Sequence, residues 1–465
     1  MKIAVLMKIV NGEPNPFDAC ALEAALRIDG AEITVISMGR RDTEPVLRRL
    51  TRHNIDCVLV SDTAYAGSDT LVTAKTLFAA IKHIYGTAPD CIFCGRQSID
   101  GDTAQVPPCL SQLINAELAA SVMSVDGITD SGISCTTRER QMSVRFPCVL
   151  SFERINTLRY PSIRSKESDV RIITNDDLRL NPDECGLKGS PTQVLRTFES
   201  VRGRRKCKYI LPNELDDIIA DAVSSPNTAE RQTAPQTECE QKLPLIYAVG
   251  EEAAKTAQPL AECVKVLPIG DVNGIVDTIR RENAEIVLWD SSYYGRNTAP
   301  IAAAMLNTGL CADCTRLETD GSDIFFYRPA MSGSIIAKIR CKTLPKMATV
   351  RTAAKSHNDI AVAIGKGAVS VKAAITEYAN AHGYAVAASR AAVDSGDMPY
   401  SAQVGLTGKT VAPKIYIAVG ISGAVHHTCA IENAGTVIAI NPDKSARIFD
   451  YADYGIIASA EEIFE

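Results

Sequence analysis

The sequence lacks a long run of basic residues and lacks any hydrophobic segment long enough to cross a membrane. Its formal net charge is −6, which argues against nucleic acid as the main partner. A transmembrane helix needs about 20 consecutive apolar residues, and no stretch reaches that length. The first eight residues, Met1–Lys8, are typical of a short strand followed by a charge rather than of a signal peptide. We therefore predict a cytoplasmic protein with no membrane span and no nucleic-acid partner.

The sequence also lacks the cysteine spacing of a zinc site or of a secreted disulfide scaffold. Its 15 cysteines are scattered through 465 residues, which predicts reduced thiols that mostly fill cores. Cys91/Cys94 and Cys311/Cys314 form two Cys-x-x-Cys pairs. A zinc site would need two such pairs brought together, and a redox pair would need a helix N-terminus. We interpret both pairs as structural and predict no metal site.

No Gly-x-Gly-x-x-Gly motif follows the first strand, which disfavours an NAD site of the Rossmann type there. The first half instead alternates apolar strands with helices, which predicts a parallel sheet covered by helices. The predicted strands are Lys2–Met7, Glu32–Ser37, Cys57–Ser61 and Cys91–Cys94, and the predicted helices are Asp18–Arg27, Thr43–Arg52 and Asp69–Ile84. Three later segments, Gly132–Cys135, Gln141–Phe146 and Cys148–Phe152, predict a small antiparallel group.

The turn after the fourth strand is a candidate anion site, because ligands of parallel sheets bind at the carboxyl ends of the strands. Gly101 permits a tight turn, Asp102 or Thr103 can cap a helix, and Pro107 suits a first helical turn. A well-capped helix without any ligand is an equally good interpretation of this spacing.

The second half repeats the same alternation, with predicted strands at Leu245–Val249, Cys263–Leu267 and Glu285–Asp290. Pro108 and Asn115 correspond to Pro300 and Asn307 in the second half. The number of residues from Pro108 to Pro300 is the same as the number from Asn115 to Asn307. This constant offset indicates an internal duplication of one α/β unit. The second copy lacks Asp-Gly-Asp, which suggests that it has lost a ligand. The polar segment 221–242 is the best candidate for a linker between the halves.

The stretch from Ala387 to Gly455 contains three chemically distinctive pieces. These are Ser389–Asp394, Gln403–Lys409 and Gly420–His427, the last directly behind the apolar run Ile415–Val419. A strand that ends in a glycine-spaced loop and opens a helix can hold a phosphate, because free N–H groups point at the anion. The two histidines His426 and His427 add donors beside it. We predict a flavin site here.

These pieces, together with Tyr416–His427 and Asn441–Gly455, resemble the FAD-binding domain of the electron transfer flavoprotein alpha subunit. The first half resembles the beta subunit at Asn15–Asp18, Ala21–Leu26, Gly67–Thr70 and Cys94–Gln105. The resemblance implies a beta subunit fused to an alpha subunit. It implies an α/β fold with a beta-like domain (1–220), a linker (221–242), an alpha N-terminal-like domain (243–355) and a C-terminal α/β FAD-binding domain (356–465). The first two domains would be related parallel-sheet domains of nucleotide-binding type.

The resemblance implies roles around the flavin and no catalytic side chain. Arg390 would place positive charge near the ring, Thr407 would lie at its N5 edge, and His427 would face its pyrimidine side. A helix N-terminus, Arg390 and His427 would then stabilise the negative charge of reduced flavin. The implied FAD contacts are Lys366, Ser389, Arg390, Gln403, Val404, Gly405, Leu406, Thr407, Gly408, Ser422, Gly423, Ala424, Val425, His426, His427, Asn441 and Ser459.

The resemblance also implies a second adenine nucleotide in the first half, either AMP or a second FAD. Its implied contacts are Leu6, Asn15, Pro16, Phe17, Met38, Asp100, Gly101, Asp102, Thr103, Ala104, Gln105 and Val106. The segment Tyr160–Lys166 resembles the partner-recognition loop of the family, with Ile163 as its apolar anchor.

The leading hypothesis is an electron carrier that accepts electrons from a flavoprotein dehydrogenase of the acyl-CoA type and passes them on through FAD. The alternative is an electron-bifurcating flavoprotein that uses NADH and two FADs, with ferredoxin as a further candidate partner. Only the alternative would make the protein a conventional oxidoreductase. A flavin-free nucleotide-binding protein is a third hypothesis, and it leaves the C-terminal pattern unused. The polar segment Thr352–Asp359 is predicted to act as a hinge for the FAD-binding domain.

Overall fold

The computed structural model describes residues 1–199, 205–224, 236–331, 335–351, 359–405, 408, 411–432 and 434–465. These residues form two compact units. The first unit comprises residues 1–197, 237–331 and 337–351. The second comprises 335, 336 and the described residues of 198–236 and 359–465.

The first unit opens with a mixed sheet whose order in space is β11-β5-β4-β1-β6-β10-β7-β8-β9. Neighbouring strands from β11 to β7 run parallel, and β7, β8 and β9 are antiparallel to one another. Its strands are β1 (Lys2–Leu6), β4 (Glu32–Met38), β5 (Asp56–Val60), β6 (Cys91–Gly95), β7 (Glu117–Ile128), β8 (Gly132–Thr137), β9 (Gln141–Arg145), β10 (Cys148–Phe152) and β11 (Arg171–Ile173); β2 (Ile9–Val10) and β3 (Glu13–Pro14) form a short hairpin.

Helices cover this sheet because their apolar faces pack against its strands in two buried clusters, one on each face. Pro16 opens the first helix, where a proline loses no helical hydrogen bond. The helices are α1 (Pro16–Leu26), α2 (Glu44–Leu50), α3 (Thr70–Tyr85), α4 (Val106–Ile114), α5 (Asn175–Leu178) and α6 (Gly186–Gly189).

The second half of the first unit repeats this architecture. Its parallel sheet has the order β16-β15-β17-β22-β18, which matches the order β4-β1-β6-β10-β7 of the first sheet. Asn115 and Asn307 both end a helix in the left-handed conformation, and Ser121 and Asp313 have positive φ at corresponding points of β7 and β18. These equivalences support the duplication inferred from the sequence. The elements are β15 (Leu243–Val249), α8 (Glu251–Ala257), β16 (Ala261–Leu267), α9 (Val272–Arg281), β17 (Ile286–Asp290), α10 (Tyr293–Leu306), β18 (Leu310–Cys314) and β22 (Lys346–Val350).

A further sheet of order β12-β21-β20-β19-β14 packs its apolar side on the core of this second half. Its strands are β12 (Thr192–Glu199), β14 (Gln236–Cys239), β19 (Arg316–Thr319), β20 (Ile324–Ala330) and β21 (Ile335–Cys341).

The second unit is built on a sheet of order β13-β28-β27-β26-β23-β24-β25, with parallel neighbours throughout. The central strands are buried along their whole length, as expected for a sheet covered on both faces. Its elements are β13 (Lys208–Tyr209), α7 (Leu215–Ser224), β23 (Ile360–Ile364), α11 (Lys372–Ala381), β24 (Ala385–Ser389), α12 (Arg390–Asp394), β25 (Gln403–Val404), β26 (Ile415–Val419), α13 (Val425–Thr428), β27 (Thr436–Ile440), β28 (Tyr454–Ile456) and α14 (Glu461–Phe464).

The α/β prediction is confirmed, but one strand was placed wrongly. Cys148–Phe152 is β10, which lies between β6 and β7 and runs parallel to both. All five of its residues are buried, so the strand has no polar face for an antiparallel group at the surface. The predicted linker 221–242 overlaps the end of α7 and all of β14, and residues 225–235 lie outside the described part. The predicted division into four segments stays a prediction.

Both Cys-x-x-Cys pairs lie in buried strands, Cys91/Cys94 in β6 and Cys311/Cys314 in β18. Burial raises the pKa of the Cys94 thiol well above its usual value, so this thiol is protonated and unreactive. Within the described ranges, no helix combines the length and the apolar character needed to cross a membrane.

Candidate functional site

A cavity of about 890 Å³ lies at the carboxyl ends of β1, β4, β5 and β6 in the first unit. This is the edge at which parallel sheets bind their ligands. Eight of the predicted second-nucleotide contacts line it: Leu6, Asn15, Met38, Gly101, Thr103, Ala104, Gln105 and Val106. The other four, Pro16, Phe17, Asp100 and Asp102, adjoin these in the chain but are not among the described lining residues.

The turn from Asp100 to Gln105 forms one wall of this cavity. Asp102 and Ala104 have φ of 52° and 55°, the left-handed conformation that non-glycine residues rarely adopt. The next helix, α4, begins at Val106 with Pro107 in its first turn, as predicted. The expected cap is wrong, because Gln105 precedes the helix and no side chain caps it. Gln105 is instead held by the hydroxyl of Thr70.

Arg328, from strand β20 of the second half, fixes the same turn. Its guanidinium donates hydrogen bonds to the carbonyls of Gly101 (2.8 Å), Asp102 (3.1 Å) and Ala312 (2.8 Å). The side chain is buried and also lines the cavity. The two duplicated halves therefore build this site together.

Charged side chains around the cavity are more often positive than negative. Such an excess of positive charge favours an anionic ligand such as a nucleotide phosphate. The cationic lining residues are Lys8, Arg40, Arg41, Arg96 and Arg328, and the acidic ones are Asp18, Asp62 and Asp69.

Asp18 connects two of the strand ends that border the cavity. Its carboxylate accepts hydrogen bonds from the backbone N–H of Lys8 (2.8 Å) and of Gly95 (2.7 Å). Burial raises the pKa of this carboxyl to about 6, and these hydrogen bonds only partly oppose the rise. The carboxyl is therefore an ionisable group that changes charge beside a predicted phosphate site near neutral pH.

Asp18→Asn is expected to change how stability depends on pH. A carboxyl whose pKa is higher in the folded than in the unfolded protein binds more protons when folded, so stability falls as pH rises through that range. A rise from 3.8 to about 6 corresponds to roughly 3 kcal/mol. We expect the free energy of unfolding of wild type, relative to Asp18→Asn, to fall by that amount between pH 4 and pH 7. Urea unfolding at several pH values measures the difference, and parallel curves for the two proteins would contradict it.

The corresponding edge of the second half differs in detail. The hydroxyl of Tyr294 donates a hydrogen bond to the carbonyl of Gly270 (2.6 Å) and so connects α10 to the loop after β16. Asp290 binds the backbone N–H of Ser292 (3.2 Å) at the start of α10. The suggestion that this copy has lost a ligand stays a prediction.

In the second unit, four predicted FAD contacts follow the carboxyl ends of four neighbouring strands. Lys366 comes after β23, Arg390 after β24, Ser422 after β26 and Asn441 after β27. Lys366 and Ser422 are exposed, while Asn441 is buried. Asn441 donates to the carbonyl of Ile421 (3.0 Å) and so shapes the loop after β26. Cationic and hydroxyl groups at this edge fit the anionic, hydroxylated FAD.

Glycines allow the loops at this edge to pass within backbone contact distance. Gly420 and Gly423 have φ of 64° and 83°, which favours glycine. A Cβ atom on Gly423 would lie 2.1 Å from the backbone nitrogen of Ile448, and one on Gly365 would lie 2.1 Å from the carbonyl oxygen of Gly420. The helix after this loop, α13, is a single turn, which is shorter than the sequence pattern implied. Exposed backbone of the glycine loop, rather than a long helix dipole, is therefore the feature available to a phosphate.

His427 is buried and both of its ring nitrogens have partners. Nδ1 lies 3.1 Å from the carbonyl oxygen of Val404, and Nε2 lies 2.9 Å from the hydroxyl of Tyr416. A carbonyl can only accept, so Nδ1 carries the proton and a neutral ring accepts from Tyr416 at Nε2. Burial lowers the pKa of His427 to about 4, which the bond to Val404 only partly opposes. His427 is therefore neutral at pH 7. Its implied position facing the pyrimidine side of the flavin stays a prediction.

Tyr416→Phe is expected to lower the free energy of unfolding by about 1–3 kcal/mol, because it leaves the buried Nε2 of His427 without its donor. Tyr378→Phe is the matched control. The Tyr378 hydroxyl binds Asp216 at the surface, where water can replace the lost partner. Chemical denaturation followed by far-UV circular dichroism measures both variants. An equal decrease in the free energy of unfolding of both variants would show that the Tyr416–His427 hydrogen bond stabilises the protein no more than the surface bond of Tyr378 does.

The remaining predicted flavin contacts surround this edge. Ser389 caps α12 at Ala392, and Arg390 pairs with Asp394 on the same short helix (3.0 Å). Gln403, Val404 and Gly405 follow one another at and after β25, while Ser459 precedes α14. The other described residues of the set are Gly408, Gly423, Ala424, Val425 and His426. Leu406 and Thr407 lie outside the described residues, so the predicted contact at N5 is not visible.

The predicted recognition loop lies in the first unit, on the connection between β10 and β11. Tyr160 and Ile163 are 97% and 95% exposed, the highest values among large hydrophobic side chains in the described part of the chain. Neither side chain contributes to the buried core, and both are accessible at the surface.

Two units with glycine-containing or cationic sites at the carboxyl edges of parallel sheets define a nucleotide-binding α/β protein. The profile of the electron transfer flavoprotein domain matches residues 3–147 and 253–383, and that of the electron transfer flavoprotein FAD-binding domain matches 356–432. The chain belongs to the electron transfer flavoprotein family. The match supports a role as an electron carrier that uses FAD.

Relatives of both subunit types match different parts of the chain. In Thermoanaerobacterium thermosaccharolyticum, the electron transfer flavoprotein subunit beta is 40% identical over 46% of this chain and 85% of its own length. The subunit alpha of the same organism is 35% identical over 40% of this chain and 71% of its own. The caffeyl-CoA reductase-Etf complex subunit CarD of Acetobacterium woodii is 36% identical over 40% of this chain and 74% of its own. These matches confirm the fusion of beta-type and alpha-type sequences.

Sequence reasoning missed several side chains that shape the two sites. Arg328 lies more than 200 positions from the turn that it fixes, and no local pattern connects the two. Tyr416 lies in the apolar run Ile415–Val419, and nothing in that pattern indicates that its hydroxyl has a specific partner. Asp18 follows the predicted contact Phe17 directly, and a charged residue at the start of an apolar helix was the available signal.

Proposed function

We propose that this chain carries electrons from a flavoprotein dehydrogenase of the acyl-CoA type to a further acceptor through FAD in its C-terminal domain. The observation that carries the proposal is the alignment of Lys366, Arg390, Ser422 and Asn441 at the ends of four neighbouring strands. The first three of these residues lie within the matched FAD-binding domain, residues 356–432. The name of the relative CarD, a subunit of a caffeyl-CoA reductase-Etf complex, supports a partner that acts on a CoA ester.

Bound FAD supplies the redox chemistry, and the protein holds it and sets its surroundings. The backbone of the glycine loop from Gly420 to Gly423 and the hydroxyl of Ser422 would hold the pyrophosphate. Arg390 and Lys366 would provide the positive charge that favours the reduced, negatively charged flavin. His427, neutral and fixed by Tyr416, would orient the segment of Val404 against the ring rather than add charge.

We further propose that the cavity of the first unit holds an adenine nucleotide, either AMP or a second FAD. The turn Asp100–Val106 and the cationic side chains support a phosphate ligand there. The volume of about 890 Å³ lies in the upper part of the range of about 300–1,000 Å³ typical of small-molecule sites. A cavity of this size accommodates either nucleotide. With a second FAD there, the second candidate function is an electron-bifurcating flavoprotein that uses NADH.

Counting nucleotides decides between these functions. The purified protein is extracted with acid, and FAD and AMP are quantified per chain by chromatography. One FAD with one AMP supports the simple carrier, and two FADs support the bifurcating alternative. A colourless protein that fails to take up FAD would contradict both and would favour a flavin-free nucleotide-binding protein.

The loop around Ile163 is proposed as the docking site for the dehydrogenase. Its two most exposed side chains, Tyr160 and Ile163, lie three residues apart on a connection without described helix or strand. An apolar anchor of this kind gains binding energy by entering a pocket of the partner.

A further inference from the structure

The loop of residues 153–170 connects β10 to β11 and contains no described helix or strand. A connection of this length in a compact unit is usually functional, and without internal structure it needs external support to keep one shape. Tyr160 and Ile163 do not provide that support, because both are almost fully exposed. Leu158 and Val170 pack on the buried core of the sheet near the two ends of the loop. Between them, hydrogen bonds to helix α1 and to the turn after α2 hold the segment that carries Tyr160 and Ile163.

The first clasp is an ion pair between Glu23 of α1 and Arg159 of the loop. The guanidinium of Arg159 donates to both carboxylate oxygens of Glu23, with Nε–Oε2 at 3.0 Å and Nη2–Oε1 at 2.8 Å. The backbone N–H of Arg159 adds a third bond, 3.1 Å long. Glu23 is only 3% exposed, whereas Arg159 is half exposed. A bidentate pair with one buried partner fixes direction as well as distance.

Glu23 also binds Arg27, one turn later on α1, at 2.8 Å from Nε to Oε1. Burial of the Glu23 carboxyl would raise its pKa, but the hydrogen bonds from Arg159 and Arg27 outweigh that effect and lower it to about 2. The carboxylate is therefore ionised throughout the physiological pH range. The clasp does not open by protonation.

A second set of hydrogen bonds, which we call the second clasp, holds the loop at and after Ser162. Arg52 donates to the carbonyls of Ser162 and Ser165, both at 3.3 Å. The hydroxyl of Thr51 accepts the backbone N–H of Ser168 at 2.8 Å. Tyr160 therefore lies between the contacts of Arg159 and Ser162, and Ile163 lies between those of Ser162 and Ser165.

We propose that Glu23 is a positioning residue that holds the loop, through Arg159, in the shape that presents Tyr160 and Ile163 to the electron-donating partner. This inference rests on the proposed docking function of the loop. A loop that is already ordered loses less conformational entropy on binding than a flexible one. Glu23 is not among the described residues that line the cavity or among the predicted flavin contacts, so its loss should weaken docking and leave the electron-transfer step unchanged.

Arg159→Gln and Arg27→Gln form a matched pair, because both remove one arginine from the same carboxylate and only Arg159 belongs to the loop. Both arginines are about half exposed, so neither variant is expected to unfold the protein. FAD content and far-UV circular dichroism confirm folding. Glu23→Gln is the third variant, and Arg159→Lys, which keeps the charge without the bidentate fork, is expected to be intermediate.

Two measurements are made on the FAD-loaded full chain. Limited trypsin digestion, read by mass spectrometry at Arg164 and Lys166, reports loop order without any partner. Reduction of the FAD by an acyl-CoA dehydrogenase supplied with its acyl-CoA gives KM and kcat for the partner. Arg159→Gln and Glu23→Gln are expected to raise both the cleavage rate and KM about tenfold at unchanged kcat, and Arg27→Gln to change neither.

Ile163→Ala separates the failure of this inference from the failure of the proposed docking function. If Ile163→Ala raises KM while Arg159→Gln behaves like Arg27→Gln, the positioning role of Glu23 is overturned and the docking loop stands. Faster cleavage without a higher KM in Arg159→Gln also overturns it, because loop order would not matter for docking. If Ile163→Ala leaves KM unchanged, the docking function fails and the inference with it, while the cleavage rates still show whether the clasp exists.

Discussion

Gly423→Ala is expected to abolish FAD retention by the purified protein. The φ of Gly423 is 83°, a conformation that is unfavourable for an L-residue by about 1–2 kcal/mol. The larger effect is steric, because the new Cβ atom would lie 2.1 Å from the backbone nitrogen of Ile448. Neither backbone can yield without moving the loop that is proposed to hold the pyrophosphate. We expect at least a roughly hundredfold loss of FAD affinity, since several hydrogen bonds would be lost together.

Gly383→Ala is the control for Gly423→Ala. Gly383 belongs to the same unit and has a φ of 71°. Apart from its chain neighbours, however, no atom of the described residues lies within 4 Å of the position its Cβ would occupy. It therefore carries the backbone strain without the collision. The ratio of flavin absorbance to protein absorbance after gel filtration measures retention for both variants. Full retention in Gly423→Ala, or equal losses in both, would contradict the role assigned to the glycine loop.

The alternation of strands and helices made the α/β fold predictable. It did not predict the partners of one fully buried strand. Cys148–Phe152 follows two short strands, and proximity in the chain suggested that it pairs with them. In the structure it enters the centre of the parallel sheet beside β6. Its uninterrupted burial is the physical reason, and the absence of polar residues other than Ser151 was the available signal.

The first-unit cavity shows how far local patterns can reach. The turn after β6 was a candidate from the sequence pattern, because ligands of parallel sheets bind at the carboxyl ends of the strands. Leu6 and Met38 came only from the family resemblance, and both line the cavity. The protonation state of His427 could not, since it depends on burial and on a hydroxyl supplied by another strand. The contribution of Arg328 could not either, because it requires knowing how the two duplicated halves pack.

Arg328→Met is expected to empty the first-unit cavity of the nucleotide proposed to bind there, while FAD stays bound in the C-terminal domain. Arg328 is buried, and its guanidinium supplies donors to the carbonyls of Gly101, Asp102 and Ala312. Methionine fills part of the volume and supplies no donor, so three carbonyls lose their partner. Hydrogen bonds to a charged donor contribute about 1.5–3 kcal/mol each, and losing those to the turn should lower nucleotide affinity about hundredfold or more.

The hydrogen bonds that Arg328 makes to the turn define the controls for Arg328→Met. Arg328→Lys keeps the positive charge but cannot reach both carbonyls of the turn at once, so nucleotide content should fall between wild type and Arg328→Met. Arg340→Met removes an arginine from the neighbouring strand β21, where it is half exposed and pairs with Asp323 at 2.7 Å, and it should leave nucleotide content unchanged. Acid extraction with separate quantification of AMP and FAD measures all three. If Arg328→Met retains the second nucleotide, the left-handed turn at Asp102 and Ala104 holds its shape without Arg328, and the nucleotide is bound by the first half alone.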